Sequence, residues 1–258
     1  MAEPRSITSK DNPLLVRVRK LVADPGGYRK FGEVWLEGDH LCAAFAQRGG
    51  RALQALVSSE GWQQPRLREL AGHAAAVAIV PAELMAGLST LESPGAIGFV
   101  VATPTAAAIT PDAPSVLLDR LQDAGNVGTI LRSAAAFGFT QVVALKGTAA
   151  LWSPKVLRAG MGAHFGLRLV EGVDAGALEA LRLPLLATSS HAEAALHEVD
   201  LPWPCAWVMG HEGQGIAPDL RRRCAMSLRI PQPGGEESLN VAAAAAVCLY
   251  ESARQRAV

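Results

Sequence analysis

The chain has 258 residues, 50% of them hydrophobic, enough to bury a substantial core as one large domain or two ordinary ones. Its 24 basic and 24 acidic side chains cancel, so no global field draws it to nucleic acid and any basic surface must be local. Four scattered cysteines without a CxxC pair signal neither a zinc site nor a disulfide framework, and the stretch 1–10 has no apolar targeting core.

Residues 1–30 carry seven basic side chains (Arg5, Lys10, Arg17, Arg19, Lys20, Arg29, Lys30) against three acidic ones (Glu3, Asp11, Asp24). Within them, Leu14, Leu15, Val18, Leu21 and Val22 recur at helical spacing, which predicts an amphipathic helix over 12–22 started by asparagine and proline. After a turn cluster, a strand at 34–36 passes into a helix that stops at Gly49 and Gly50. Strands and helices then alternate as far as residue 102, the pattern of a small α/β domain. The proline- and alanine-rich stretch 103–114 has no period and reads as a linker.

Over 115–258 the alternation resumes. Strands are expected at 115–121, 141–145, 166–170, 184–189, 205–210 and 226–230, and helices at 127–137, 154–161, 175–181 and 218–222, before a final alanine-rich helix. That order predicts a mostly parallel sheet covered by helices. The longest apolar run, 241–249, is too short to cross a bilayer, so a cytoplasmic protein without a membrane partner is expected. The six histidines show neither HExxH nor HxH spacing, so no metal is expected, and no GxSxG elbow marks a serine hydrolase.

Three segments could carry chemistry. In the first, a buried strand ends near Gln122, Asn126 can cap the next helix, and Arg132 falls off that helix's apolar face; a capping asparagine and a solvated arginine would explain both. In the second, glycines at 210, 213 and 215 follow a strand and can bring backbone amides close to a ligand. Glu212 in that loop is either solvated or an anchor for an arginine or a ligand hydroxyl. In the third, Ser238 and Asn240 precede the alanine helix, and N-capping accounts for one of them. The run Arg221, Arg222, Arg223 reads as a solvated helix end.

Together these segments resemble the SpoU (TrmH-like) branch of the SPOUT methyltransferases. An asparagine six residues before an arginine at a strand-to-helix junction matches Asn126 and Arg132. A Gly-x-Glu-Gly loop matches Gly210, Glu212 and Gly213, and an Ile-Pro strand end followed by Ser-Leu-Asn-Val matches Ile230, Pro231 and 238–241. The segment 154–165 also fits the family, although Gly160 stands where a serine would be expected, and no catalytic role is assigned to it.

The resemblance implies an α/β fold with a C-terminal α/β knot over 115–258, behind a smaller RNA-binding α/β domain over 1–102. It implies methyl transfer from S-adenosylmethionine to a ribose 2′-hydroxyl of RNA by a homodimer. Asn126, Arg132, Glu212, Ser238 and Asn240 take the catalytic places, and Thr188, Gly210, Ile230 and Leu239 the methyl donor. The separate first domain favours ribosomal RNA over transfer RNA. A transfer-RNA 2′-O-methyltransferase is the alternative, followed by a non-catalytic RNA-binding protein of the same fold. An enzyme acting on a base nitrogen would use different motifs.

Overall fold

Asn12 opens the first helix as the sequence predicts. Its side-chain oxygen accepts from the Leu14 amide at 3.0 Å, Pro13 takes the first helical position, and α1 (Pro13–Ala23) buries Leu14, Leu15, Val18 and Leu21. The computed structural model describes residues 3–234 and 238–256. They gather into two compact units: the chain up to Thr105 with Trp152–Phe165, and Ala106–Leu151 with the chain from Gly166 onward.

The first unit is a five-stranded mixed sheet with helices. In chain order it holds β1 (Arg5–Ser6), α1, α2 (Gly27–Phe31), β2 (Glu33–Glu37), α3 (Asp39–Gln47), β3 (Ala52–Ser58), α4 (Pro65–Ala71), β4 (Ala74–Val80), α5 (Ala82–Ala86) and β5 (Ile97–Ala102). The spatial order is β1-β4-β3-β5-β2, with β5 antiparallel to both of its neighbours. β1, at two residues, is too short to leave a periodic signal, and the sequence did not announce it. The apolar face of α1 packs with Ile7, Trp35, Leu56 and Val100. Gly98 of β5 seats the buried Trp35 ring on bare backbone, since a Cβ there would lie 2.1 Å from it.

The second unit is a six-stranded, wholly parallel sheet. It contains β6 (Ser115–Asp119), α6 (Ala124–Ala136) and β7 (Gln141–Leu145) before the chain enters α7 (Pro154–Gly160), and afterwards β8 (Arg168–Val173), β9 (Leu185–Thr188), β10 (Ala206–Gly210), α8 (Pro218–Arg222), β11 (Met226–Leu228) and α9 (Val241–Arg256). The order β11-β9-β10-β6-β7-β8 reverses direction at β6 and β10. At such a switch point the loops on either side leave in opposite directions and open a crevice at the carboxyl edge.

Three features differ from the sequence reading. The segment Trp152–Phe165 groups with the first unit, where Phe165 meets Phe45 edge-on at 5.3 Å and Gly162 lies so close to Ala44 that a Cβ would stand 2.5 Å away. The stretch 103–114 is anchored at both ends: the Thr103 amide donates to Gly32 O, while Ala107 and Ile109 pack on the second unit's core. The expected helix at 175–181 is a 3-10 segment, Ala175–Ala180, a single short piece of the tighter helix.

The alanine helix owes its place to small side chains. Ala242, Ala245, Cys248 and Leu249 are buried as α9 packs against α6 and β10. The Trp207 indole N–H donates to Ser252 Oγ at 2.9 Å, and that hydroxyl donates to Cys248 O at 3.1 Å. Near its end, Glu251 accepts two bonds from Arg254, at 2.7 and 2.8 Å, and one from Gln255, whose amide also donates to Val199 O. The Arg254 hydrogen bonds, against the opposing pull of burial, hold the Glu251 carboxyl down at about 2. A depressed carboxylate stabilises the fold above its unfolded-state value, and the contribution disappears as pH falls through the folded value. Glu251→Gln is therefore expected to lower stability by about 1 kcal/mol, a figure discounted for the half-exposed arginine. In urea titrations the difference from the parent should be constant from pH 8 to 5 and shrink towards pH 2; a difference that grows on acidification would refute it.

Candidate functional site

The carboxyl edges of β6, β9 and β10 end side by side at Asp119, Thr188 and Gly210, with Gly210 in register with Asp119. Beyond Gly210 the chain doubles back at once. His211 and Gly215 exchange backbone hydrogen bonds of 3.1 and 2.8 Å, and His211 Nδ1 accepts from the amides of Gly213 and Gln214. Gly215 has a φ of +66°, and a Cβ on Gly210 would lie 2.4 Å from Gly215 C and Ile216 N. Two glycines thus allow the loop to fold onto its own strand.

Asp119 and Arg120, to which the sequence assigned no role, tie that loop to β6. Asp119 is buried, accepts from the Ala217 amide at 2.7 Å and takes two bonds from Arg120. Arg120, held at a φ of +60°, also donates to Gln214 Oε1 at 3.1 Å. An acidic residue at the end of a predicted buried strand was the available signal, because a carboxylate is tolerated there only when its hydrogen bonds are met.

Asn126 does not cap α6. Asp123 does, accepting from the Asn126 amide at 2.7 Å, and Asn126 sits in the first turn with its side chain free for other partners. Those partners are the other predicted residues. Glu212 accepts from the backbone amides of Gln122 (3.2 Å) and Asp123 (3.1 Å) and from Asn126 Nδ2 (3.3 Å). Asn126 Oδ1 accepts from Asn240 Nδ2 at 3.0 Å, and Asn240 Oδ1 accepts from the amides of Ala242 and Ala243, capping α9. The direction of this chain is forced. A carboxylate only accepts and a helix N-terminus only donates, so each asparagine between them has one possible amide orientation.

The network also sets the charge of Glu212. Burial, the largest influence, acts to raise its pKa. Bonds from its own backbone amide, from those of Asp123 and Gln122, and from the Asn126 side chain outweigh it, and the carboxyl sits below its ordinary value.

Alongside lies a pocket of about 340 Å³. Of the residues expected there, Thr188, Gly210, Glu212, Ser238, Leu239 and Asn240 line it. Ile230, half-buried past the end of β11, does not, and neither does Asn126. Arg132 lies about 9 Å further along α6 than Asn126 and about 120° round it. It is exposed and outside the pocket, and its side chain bonds to no other described residue. The sequence reading missed Met209, Ile216, Val241 and Ala244, which supply apolar wall, and Arg221, which supplies a cation. Gly235, Glu236 and Glu237 of the third segment lie outside the described residues.

The sequence profile of the SpoU rRNA Methylase family matches residues 113–250. A tRNA/rRNA methyltransferase of Synechocystis sp., described as uncharacterized, is 34% identical over 97% of this chain and 94% of its own. The 23S rRNA (guanosine-2′-O-)-methyltransferase RlmB of Pseudomonas putida is 32% identical over 86% of this chain and 96% of its own. The crystal structure of the SpoU methyltransferase AviRb from Streptomyces viridochromogenes, in complex with the cofactor AdoMet, superposes with a TM-score of 0.86 at 26% identity, covering 95% of this chain and 98% of that one.

Proposed function

The chain belongs to the SpoU rRNA methylase family, and from that premise we propose that it methylates a ribose 2′-hydroxyl of ribosomal RNA with S-adenosylmethionine as donor. The observation that carries the reading is the hydrogen-bonded chain Glu212, Asn126, Asn240 beside the pocket, which joins all three family motifs at the carboxyl edge of a parallel sheet. Ribosomal RNA is favoured by the similarity, over 86% of this chain and 96% of the relative, to a 23S rRNA ribose methyltransferase.

The residues present fit the donor. The pocket volume lies within the usual range for small-molecule sites. Met209, Ile216 and Leu239 can take apolar parts of the donor, Thr188 a polar edge, and the bare backbone at Gly210 allows close approach. Bound there, the donor supplies a methyl group already activated by its sulfonium.

The protein's own task is to orient the ribose and stabilise the oxygen as its proton passes to solvent water and it becomes negative. Among the described residues the Ser238 hydroxyl has no partner, and Asn126 and Asn240 each keep one amide hydrogen beyond those used in the chain, so oriented donors remain for the ribose. Arg132, outside the pocket of its own chain, acts in this reading as a fixed positive charge towards the site of a second chain, where it meets a neighbouring phosphate and the developing alkoxide. Arg132→Lys should then retain part of the activity with the alkaline limb of the pH–rate profile unmoved; a limb shifted to lower pH would make the residue a proton acceptor.

A homodimer completes the reading. The exposed faces of α6 and α9 carry Thr129, Arg132 and Ala136 beside Ala243, Val247 and Tyr250, and the two helices pack together, with Phe137 edge-on to Tyr250 at 5.7 Å. Such an exposed apolar and small-residue face suits an isologous contact, which would set Arg132 beside a second chain. Sedimentation equilibrium should find two chains per particle, and a monomer would exclude this part. The knot is retained as part of the reading, supported by β10 lying between β6 and β9 in the sheet. The first unit, with Lys10, Lys20 and Lys30 exposed, is assigned to RNA phosphates.

The deciding experiment is transfer of labelled methyl from S-adenosylmethionine to ribosomal RNA, followed by nuclease digestion. A 2′-O-methylated nucleotide is expected. A labelled base, or no transfer to any RNA, overturns the proposal.

A further inference from the structure

Three consecutive arginines end α8, and the structure separates them. Arg222 pairs with Asp219, and Arg223 Nη1 donates to Ala175 O at 2.9 Å. Arg221 keeps its backbone in the helix bonding, its side chain bonds to no other described residue, and it lines the pocket. Its helix is held from two sides: Leu220 is buried in the core, and the Ala217 amide at the helix start is fixed by the buried Asp119 carboxylate at 2.7 Å. The guanidinium is thus carried by an anchored element.

Among the described residues that line the pocket one side chain is acidic, Glu212, and that carboxylate is already spent on Gln122, Asp123 and Asn126. The other titratable lining group, His211, turns Nδ1 to the loop amides as an acceptor and offers Arg221 no anion. No described residue of the pocket neutralises the Arg221 side chain, and its charge is open to a ligand. Arg221 is exposed where it lines the pocket, so its charge is hydrated until a small molecule with an anionic end exchanges that water for a charge-assisted hydrogen bond.

We propose that Arg221 binds the carboxylate at the amino-acid end of the methyl donor and so fixes which end of the donor enters where. The proposal rests on the pocket being the donor's. An RNA phosphate is the other anion within this enzyme's chemistry, but Arg221 shares its pocket with Thr188, Gly210 and Leu239, the residues placed on the donor.

The test is calorimetric binding of two ligands to the full chain: S-adenosylmethionine and its decarboxylated form, which keeps the sulfonium, adenosine and amine. The parent protein should bind the complete donor about 10- to 100-fold more tightly, the span of one charge-assisted hydrogen-bonded pair. Arg221→Gln should lose that advantage while binding the decarboxylated form as the parent does, and Arg221→Lys should recover part of it. Arg222→Gln, on the same helix but outside the pocket, should leave both affinities unchanged and control for damage to α8. Equal losses for both ligands in Arg221→Gln would overturn the proposal, as would unchanged donor affinity with a raised KM for RNA, which would give the arginine to a phosphate. If the parent binds neither ligand, the donor pocket itself is wrong; if it binds both equally, only the role of Arg221 is.

Discussion

Gly210→Ala is expected to lower affinity for S-adenosylmethionine by at least about 100-fold, the scale of a site displaced by an ångström. The alanine methyl would stand 2.4 Å from two backbone atoms, Gly215 C and Ile216 N, and neither can turn aside as a long side chain could. The loop must open, breaking the pair of bonds between His211 and Gly215 and moving Glu212 off the Gln122–Asp123 turn. β10 is buried and paired on both sides, so the fold should survive and thermal unfolding should change far less than binding. Calorimetric titration beside a thermal melt checks this, and a variant that binds the donor normally would show that the loop is not the donor's cradle.

Glu212→Gln is expected to reduce kcat by about 100-fold with a smaller change in donor affinity, because it disturbs orientation at the reacting end. The substitution preserves volume and inverts polarity at one atom. Glutamine has one accepting oxygen where the carboxylate has two, and its NH2 would face an N–H of Gln122, Asp123 or Asn126. Asn126 is then free to flip, and the direction that runs through Asn240 to the α9 amides is lost. Single-turnover rates with saturating donor measure it; an unchanged rate would reduce Glu212 to a solvated loop residue.

The same carboxylate sets an acid limit. Its folded value is lowered, so the loop's stabilisation is complete above the ordinary carboxylate range and is lost as pH falls through that lower value. Donor binding should accordingly hold steady from neutrality down to the ordinary carboxylate range and fail only below it.

Much of this was legible in the chain. Helix α1 was readable because proline, asparagine and an apolar period coincide, and the buried strands of the second sheet because each is a short apolar run bounded by turn residues. The pocket residues Gly210, Ser238 and Leu239 came from the family motifs, and Thr188 from the end of an expected strand, where a parallel sheet exposes backbone. The cap at Asp123 was misassigned to Asn126 because both residues can cap, and only the position of the first helical turn distinguishes them.

What the sequence determined by itself was therefore local: element type, the glycine loop, and the family to which three spaced motifs point. What only the tertiary structure decided was pairing between distant segments. Asn126 meets Glu212 and Asn240 across 86 and 114 residues, Asp119 reaches Ala217 across 98, and of three consecutive arginines one faces the pocket. Periodicity fixes which face of an element is apolar, but hydrogen-bond partners depend on how sheet order brings loop ends together, and strand order is not written in any single segment.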